Sequence, residues 1–368
     1  MRMSSDAVPV ESLRVSAYRI PTDVPRESDG TLEWTATTLV LVEAQAGGVH
    51  ALGYTYADTA TATLIRDLLA GVVCGRNVMA NGAIWAALVA SIRNLGRSGV
   101  TAMAISAVDV ALWDLKARLL ELPLVTLLGA VRHAVPVYGS GGFTSYSTAE
   151  LERQLAAWVG DGIARVKMKV GRDPDADVRR VGAARSVIGP DVELFVDANG
   201  AYSPRLAMSQ AERFAESRVT WFEEPVYHRD LGGMRFCREH APPGMDISVG
   251  EYGYAPADFT RILEAGAVDV LQADASRCEG ITGLMVVDGL CEAKMTPLST
   301  HCAPALHAHV ACAAKRVRHI EYFHDHARIE RLLFDGALAP VDGALRPDLT
   351  RPGLGLEFRH ADAAAYSV

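Results

Sequence analysis

The stretch Arg165–Val170 (Arg-Val-Lys-Met-Lys-Val) spaces two lysines so that a β-strand would turn both to one side. Side chains alternate along a strand, so Val166, Met168 and Val170 share one face while Arg165, Lys167 and Lys169 share the other. If the apolar face packs on outer helices, the two ammonium groups point inward, where charge is costly without a partner. The chain supplies partners at regular intervals. Successive short apolar runs finish with Lys169, Asp197, Glu223, Glu251, Asp274 and His301, and Glu321 follows near the end of an eighth run. A lone acid at such a position usually caps the next helix, but seven ionisable groups in this order would converge on one mouth of a closed barrel.

Three gathered carboxylates repel one another unless they are protonated or bridged by a cation, and an all-oxygen set favours a hard ion. Asp197, Glu223 and Glu251 are therefore read as ligands of one Mg²⁺. Zinc suits them less, because no cysteine or second histidine joins the set. Lys169 and His301 would flank that ion as proton acceptors. Lys167 and the cation should both depress the pKa of Lys169 toward that of a useful base. Asp274 can accept a hydrogen bond from one nitrogen of His301 and so leave the other free.

The elements that must position these groups follow from periodicity. Eight strands are expected at Val135–Tyr138, Val166–Lys169, Glu193–Asp197, Thr220–Glu223, Ile247–Glu251, Val268–Asp274, Pro297–His301 and His319–Tyr322, with helical segments between most of them. Alternation of this kind signals parallel βα units and a TIM-type barrel over residues 133–342. Upstream, Leu13–Ile20 and a hairpin of Thr38–Val42 with Ala51–Tyr56 around Gly47-Gly48 predict a small antiparallel sheet. Helical spacing over Ala60–Val73, Asn81–Leu95 and Ala104–Leu120 completes an α+β domain over residues 1–132, to which 343–368 should return. Asp109, Trp113, Asp114 and Lys116 on the third helix read as packing and surface pairing. The loop Pro21–Thr35 is longer than a connector needs and is a candidate lid.

A length of 368 residues suits a small domain plus a barrel, and 49% hydrophobic with 22% charged residues excludes a disordered chain. A formal charge of −8 without a basic run argues against nucleic-acid or anionic-membrane partners. The six cysteines are scattered, as free thiols of the cytoplasm would be, and Met1–Ser16 lacks the apolar core of an export signal. A cytoplasmic protein with a small-molecule partner is expected.

The ordered motifs Lys167-Met168-Lys169, Asp197-Ala198-Asn199-Gly200, Glu223-Glu224-Pro225, Gly250-Glu251, the pair Asp274 and His301, and Glu321 resemble the mandelate racemase subgroup of the enolase superfamily. The resemblance implies a modified (β/α)₇β barrel under an N-terminal α+β cap, with Mg²⁺ on Asp197, Glu223 and Glu251. By the same resemblance Lys169 and the His301–Asp274 pair are acid/base groups, and Glu321 hydrogen-bonds a substrate carboxylate. Asn199 and Lys167 would contact substrate or tune their neighbours. The loop with Trp34 and the hairpin exit Tyr54–Asp58 correspond to the family's specificity loops. Arg277 is a candidate for a second carboxylate or a hydroxyl, and Cys302 reads as packing. The implied reaction is removal of the proton next to a carboxylate, most simply in dehydration of a sugar acid to a 2-keto-3-deoxy acid. Racemisation or epimerisation is the alternative, and a non-catalytic metal-binding protein the remote one. Family members commonly assemble as dimers or octamers.

Overall fold

The computed structural model describes residues 7–24 and 26–368; Pro25 of the long loop and Met1–Asp6 lie outside them. Eight parallel strands, Val135–Gly141, Arg165–Lys169, Glu193–Asp197, Val219–Glu223, Asp246–Val249, Val270–Ala273, Leu298–Thr300 and Val317–Phe323, pair in sequence order. Pairing of Ile320 with Val137 and of Phe323 with Ser140 closes the barrel. Seven helices connect successive strands, and His324–Leu333 adds another after the eighth.

Alternation in the second strand runs as the sequence requires: Val166 and Met168 are buried outward among apolar residues of the helix layer, while Lys167 and Lys169 are buried inward. Arg165, at the far end of that strand, instead reaches the surface and pairs with Glu193 at 2.8 Å. Beneath the lysines the interior is filled by Tyr138, Phe195, Trp221 and Val270, so the barrel is a packed core rather than a pore.

Ser12–Pro21, Ala36–Ala46 and Val49–Tyr56 form the antiparallel cap sheet, in register from Ser12 opposite Gln45 to Pro21 opposite Ala36. The helix Val100–Leu119 packs on it and starts four residues earlier than the spacing suggested. That helix also docks the cap on the barrel. Asp109 accepts from the backbone N–H and hydroxyl of Thr282, and Trp113 Nε1 donates to the same hydroxyl. Gly280 permits this approach, because a Cβ there would lie 2.3 Å from Asp109 Oδ2. In the last segment, Ala344–Leu345 pairs antiparallel with the first barrel strand, Leu354 N donates to Asp114 of the cap helix, and Val368 N donates to Ala17 of the cap sheet.

The long loop is not structureless. Glu27–Ser28 pairs with Glu33–Trp34 in a minimal hairpin. The hydroxyl of Thr144 donates to the carbonyls of Ser28 and Asp29, and Trp34 packs edge-on against Phe143. These contacts lay the loop over the barrel mouth. All six cysteines are free, and among the described residues no helix is long and apolar enough to cross a membrane.

Candidate active site

Lys169, Asp197 and Glu223 are the last residues of their strands, whereas Glu251, Asp274 and His301 lie one or two residues beyond theirs. The capping explanation for these side chains fails. The helices that follow Lys169, Asp197 and Glu223 are capped by Asp173, Ser203 and Asp230, leaving the strand-end groups for the mouth. Gly250 brings Glu251 inward: its φ is +150°, and a Cβ there would lie 1.9 Å from the carbonyl oxygen of Gln272.

Asp197, Glu223 and Glu251 are buried, with ligand oxygens all within 4.8 Å of one another. Asn199 N and Trp221 Nε1 donate to Asp197 Oδ1 and Glu223 Oε2 at 2.9 and 3.0 Å, fixing two of the carboxylates. Burial and the neighbouring Asp197 push the Glu223 carboxyl up to about 8. Burial, Glu251 and Asp197 raise the pKa of the adjacent Glu224 well above the usual carboxylate range. Such a donor set fits a divalent cation, which would relieve the mutual repulsion of the three acids.

The two lysines serve different partners. Lys167 Nζ lies 2.6 Å from Glu223 Oε1, 2.8 Å from Glu321 Oε1 and 3.6 Å from Asp197 Oδ2. It is fully buried beneath the cavity and tunes its neighbours rather than facing the open space. Lys169 Nζ reaches Asp197 Oδ2 at 2.5 Å and does line the cavity. The depression of Lys169 expected beside a bound cation is not what the carboxylates alone produce. Burial pulls its pKa down and Lys167 acts in the same sense, but Asp197, Glu251 and Glu223 together outweigh both and raise it.

Across the mouth, His301 Nδ1 lies 2.9 Å from Asp274 Oδ2, and Ser276 N donates to the other oxygen of that carboxylate. His301 Nε2 faces Glu251 Oε2 at 3.2 Å and Cys302 Sγ at 3.3 Å. Burial would lower the imidazole's pKa, but Cys302 and Glu251 raise it well above its ordinary value. Burial likewise pushes the Cys302 thiol up to about 12, which leaves it an unreactive neighbour. Glu321 accepts from Ser140 Oγ at 2.6 Å and from Cys302 N at 2.9 Å; burial opposes its charge, yet Lys167 and His301 keep it ionised.

These groups open on a cavity of about 380 Å³ whose wall includes Trp34, Lys169, Asn199, Glu251, Arg277, His301 and Glu321. Arg277 donates to the Glu251 carbonyl at 3.1 Å and lies over the Tyr252 ring. Tyr54 is not part of the wall, which corrects the sequence expectation. The helix His324–Leu333 covers it, and its hydroxyl donates to Glu330 at 2.6 Å. Tyr56, two residues on and nearer the mouth, lines the cavity in its place. Asp58, at the end of the hairpin exit, lines it too, whereas sequence reasoning missed Tyr252, Asp325 and His326. Of these, Asp325 and His326 carried a signal, for they continue the polar run directly after the eighth strand. The Ala303 N–H donates to His326 Nδ1, which places the proton of the neutral ring on Nε2.

A capped barrel whose mouth joins a carboxylate triad to a lysine and a carboxylate–imidazole pair is that of an acid–base enzyme. Residues 15–129 match the mandelate racemase / muconate lactonizing enzyme N-terminal domain, and residues 150–363 match the enolase C-terminal domain-like family. The chain belongs to the mandelate racemase and muconate lactonizing enzyme family of the enolase superfamily. It is 33% identical to a 3,6-anhydro-α-L-galactonate cycloisomerase of Streptomyces coelicolor, over 95% of this chain and 97% of that one. A mandelate racemase/muconate lactonizing enzyme-like protein from Rubrobacter xylanophilus superposes with a TM-score of 0.96 at 53% identity, covering 98% of this chain and all of that one. A Streptomyces coelicolor racemase with bound magnesium superposes at 0.92 with 31% identity, over 98% and 100% of the two chains. Further relatives are named as dehydratases of talarate/galactarate, arabinonate, gluconate and rhamnonate, and as an epimerase of hydrophobic dipeptides.

Proposed function

We propose that the protein removes the proton α to the carboxylate of a sugar acid and expels the β-oxygen, giving a 2-keto-3-deoxy acid. The observation that carries this reading is the placement of Lys169 and His301, from the second and seventh strands, on the wall of one cavity beside the triad. Asp197, Glu223 and Glu251 would hold Mg²⁺, which when bound supplies Lewis-acid stabilisation of the charge that builds on the substrate carboxylate. A cation on Asp197 and Glu251 would weaken their hold on the protons of Lys169 and His301 and would bring each group toward a pKa useful for proton transfer. One then takes the α-proton. The other, with His301 favoured because Asp274 holds its Nδ1–H, returns a proton to the departing oxygen. Glu321, ionised and anchored by Ser140, would orient the substrate carboxylate.

A second reading has a specific support. Two relatives matched over more than nine-tenths of this chain are cycloisomerases, of 3,6-anhydro-α-L-galactonate and of D-galactarolactone. Expulsion of an oxygen held in a ring needs the same base and acid, with the leaving group tethered to the product. Racemisation or epimerisation would use the same two groups on opposite faces of the α-carbon.

Purified protein with Mg²⁺ should be offered aldonates, aldarates and their lactone and anhydro forms in D₂O. Keto acid detected with semicarbazide from an open-chain acid supports dehydration, and keto acid from ring forms alone supports cycloisomerisation. Absence of keto acid, with α-deuterium incorporation and inversion, rejects elimination in favour of the racemase.

A further inference from the structure

A second cluster of ligand-type side chains lies where the long loop meets the end of the eighth barrel strand. Asp23 and Glu27 come from the loop and His324 from the barrel, and one ligand atom from each lies within 4.8 Å of the others. Glu27 is fully buried, and its Oε1 has no hydrogen-bond partner among the described residues. Asp325, also fully buried, stands beside it: Trp34 Nε1 lies 3.2 Å from both Glu27 Oε2 and Asp325 Oδ2, so one N–H serves two carboxylates. Asp325 Oδ1 again lacks a hydrogen bond. The nearest cation, Arg328, stays 3.8 Å from that oxygen and donates instead to the Pro21 carbonyl at 2.6 Å. Burial, Asp325 and Asp23 push the Glu27 carboxyl up to about 10, a crowding of acids that a bound cation would relieve. His324 Nε2 lies 2.8 Å from Asp23 Oδ2, and Asp23 is exposed, so the cluster is open to solvent on that side.

We propose that Asp23, Glu27, His324 and Asp325 form a second divalent-cation site, separate from the Asp197–Glu223–Glu251 triad, that pins the loop over the barrel mouth. Its mixed carboxylate and imidazole donors select an ion of the Mn²⁺ or Zn²⁺ kind over Mg²⁺, which prefers oxygen alone. Because Trp34 and Asp325 also line the cavity, an ion here fixes the loop-side wall against which substrate rests. The site couples occupancy to loop order through Asp23 and Glu27, which belong to the loop.

The test counts ions. Full-length protein is dialysed to equilibrium against Mn²⁺, and bound manganese per chain is measured for the wild type, Glu27→Gln, Asp325→Asn and Glu223→Gln. The wild type should bind two ions. Glu27→Gln and Asp325→Asn should each lose one while retaining the barrel ion, and Glu223→Gln should retain the loop ion. Amide exchange over residues 21–35 should slow on adding Mn²⁺ in the wild type and in Glu223→Gln, but not in Glu27→Gln. A wild type that binds a single ion abolished by Glu223→Gln overturns the proposal and assigns a shared proton to the Glu27–Asp325 pair. Equal manganese content in the wild type, Glu27→Gln and Asp325→Asn overturns it as well.

Discussion

Lys169 and His301 differ in what holds them, and this sets how each variant should fail. Lys169 is tied to Asp197, a triad member, so Lys169→Ala removes a proton-transfer group and also an ion-pair partner of the triad. His301 is held by Asp274, outside the triad, and faces one triad oxygen, Glu251 Oε2 at 3.2 Å, so His301→Asn should disturb metal affinity less than Lys169→Ala. Each substitution should lower turnover on the order of 10²–10⁴-fold, the usual contribution of a general acid or base. Deuterium exchange at the substrate α-carbon would identify the abstracting group, since the variant lacking it should lose exchange with turnover. Wild-type turnover in both variants would remove both from the mechanism. At the triad, Glu223→Gln should weaken Mg²⁺ binding while the fold persists, as read by calorimetric titration and circular dichroism. Unchanged Mg²⁺ affinity in Asp197→Asn, Glu223→Gln and Glu251→Gln alike would reject the triad.

Among the elements, the loop Pro21–Thr35 carries a fit that a single side chain should break. A Cβ on Gly30 would lie 2.5 Å from the carbonyl oxygen of Ala198 and 2.7 Å from that of Val170, both backbone atoms of the barrel mouth. Gly30→Val should therefore lift the loop from the barrel without disturbing either core. The expected signature is a KM raised roughly tenfold, about 1.4 kcal/mol, with thermal stability near that of the parent. A variant with unchanged KM would show that the loop takes no part in holding substrate. In the cap, the hairpin presents Tyr56 to the cavity, while the helix after the eighth strand claims Tyr54.

Across the whole molecule, cap and barrel meet at the buried Asp109, whose carboxyl is pushed up to about 7 by burial, against the opposing bonds from Thr282. A carboxyl raised in the folded state binds its proton more tightly there than in the unfolded chain. Its contribution is complete below pH ~4, near the unfolded value, and is lost as pH rises through about 7. Stability should fall by roughly 4 kcal/mol over that window from this group alone, at about 1.4 kcal/mol per pH unit. Asp109→Asn should flatten this part of the profile, because the amide keeps an acceptor for Thr282 N and offers a donor to its hydroxyl. Parallel urea-unfolding profiles for parent and variant from pH 4 to pH 8 would refute the assignment.

The barrel and the polar ends of its strands were legible in the sequence because both rest on short periods. Alternation decides which face of Arg165–Lys169 is buried outward, and the order of Asp197, Glu223 and Glu251 follows from one βα unit per strand. The hairpin around Gly47-Gly48 was legible for the same reason. What only the tertiary structure decided depends on distance rather than period. The carboxylates by themselves raise Lys169, because Asp197, Glu251 and Glu223 together outweigh burial and the like charge of Lys167. Tyr54 and Tyr56 are equivalent in a strand pattern, and only a helix some 270 residues further along the chain separates their roles. The meeting of Asp23 and Glu27 with His324 and Asp325 spans about 300 residues of sequence, and no local rule brings such groups together. Closure of the barrel does so, because its eighth strand must return beside the first and carry its polar end beneath the cap.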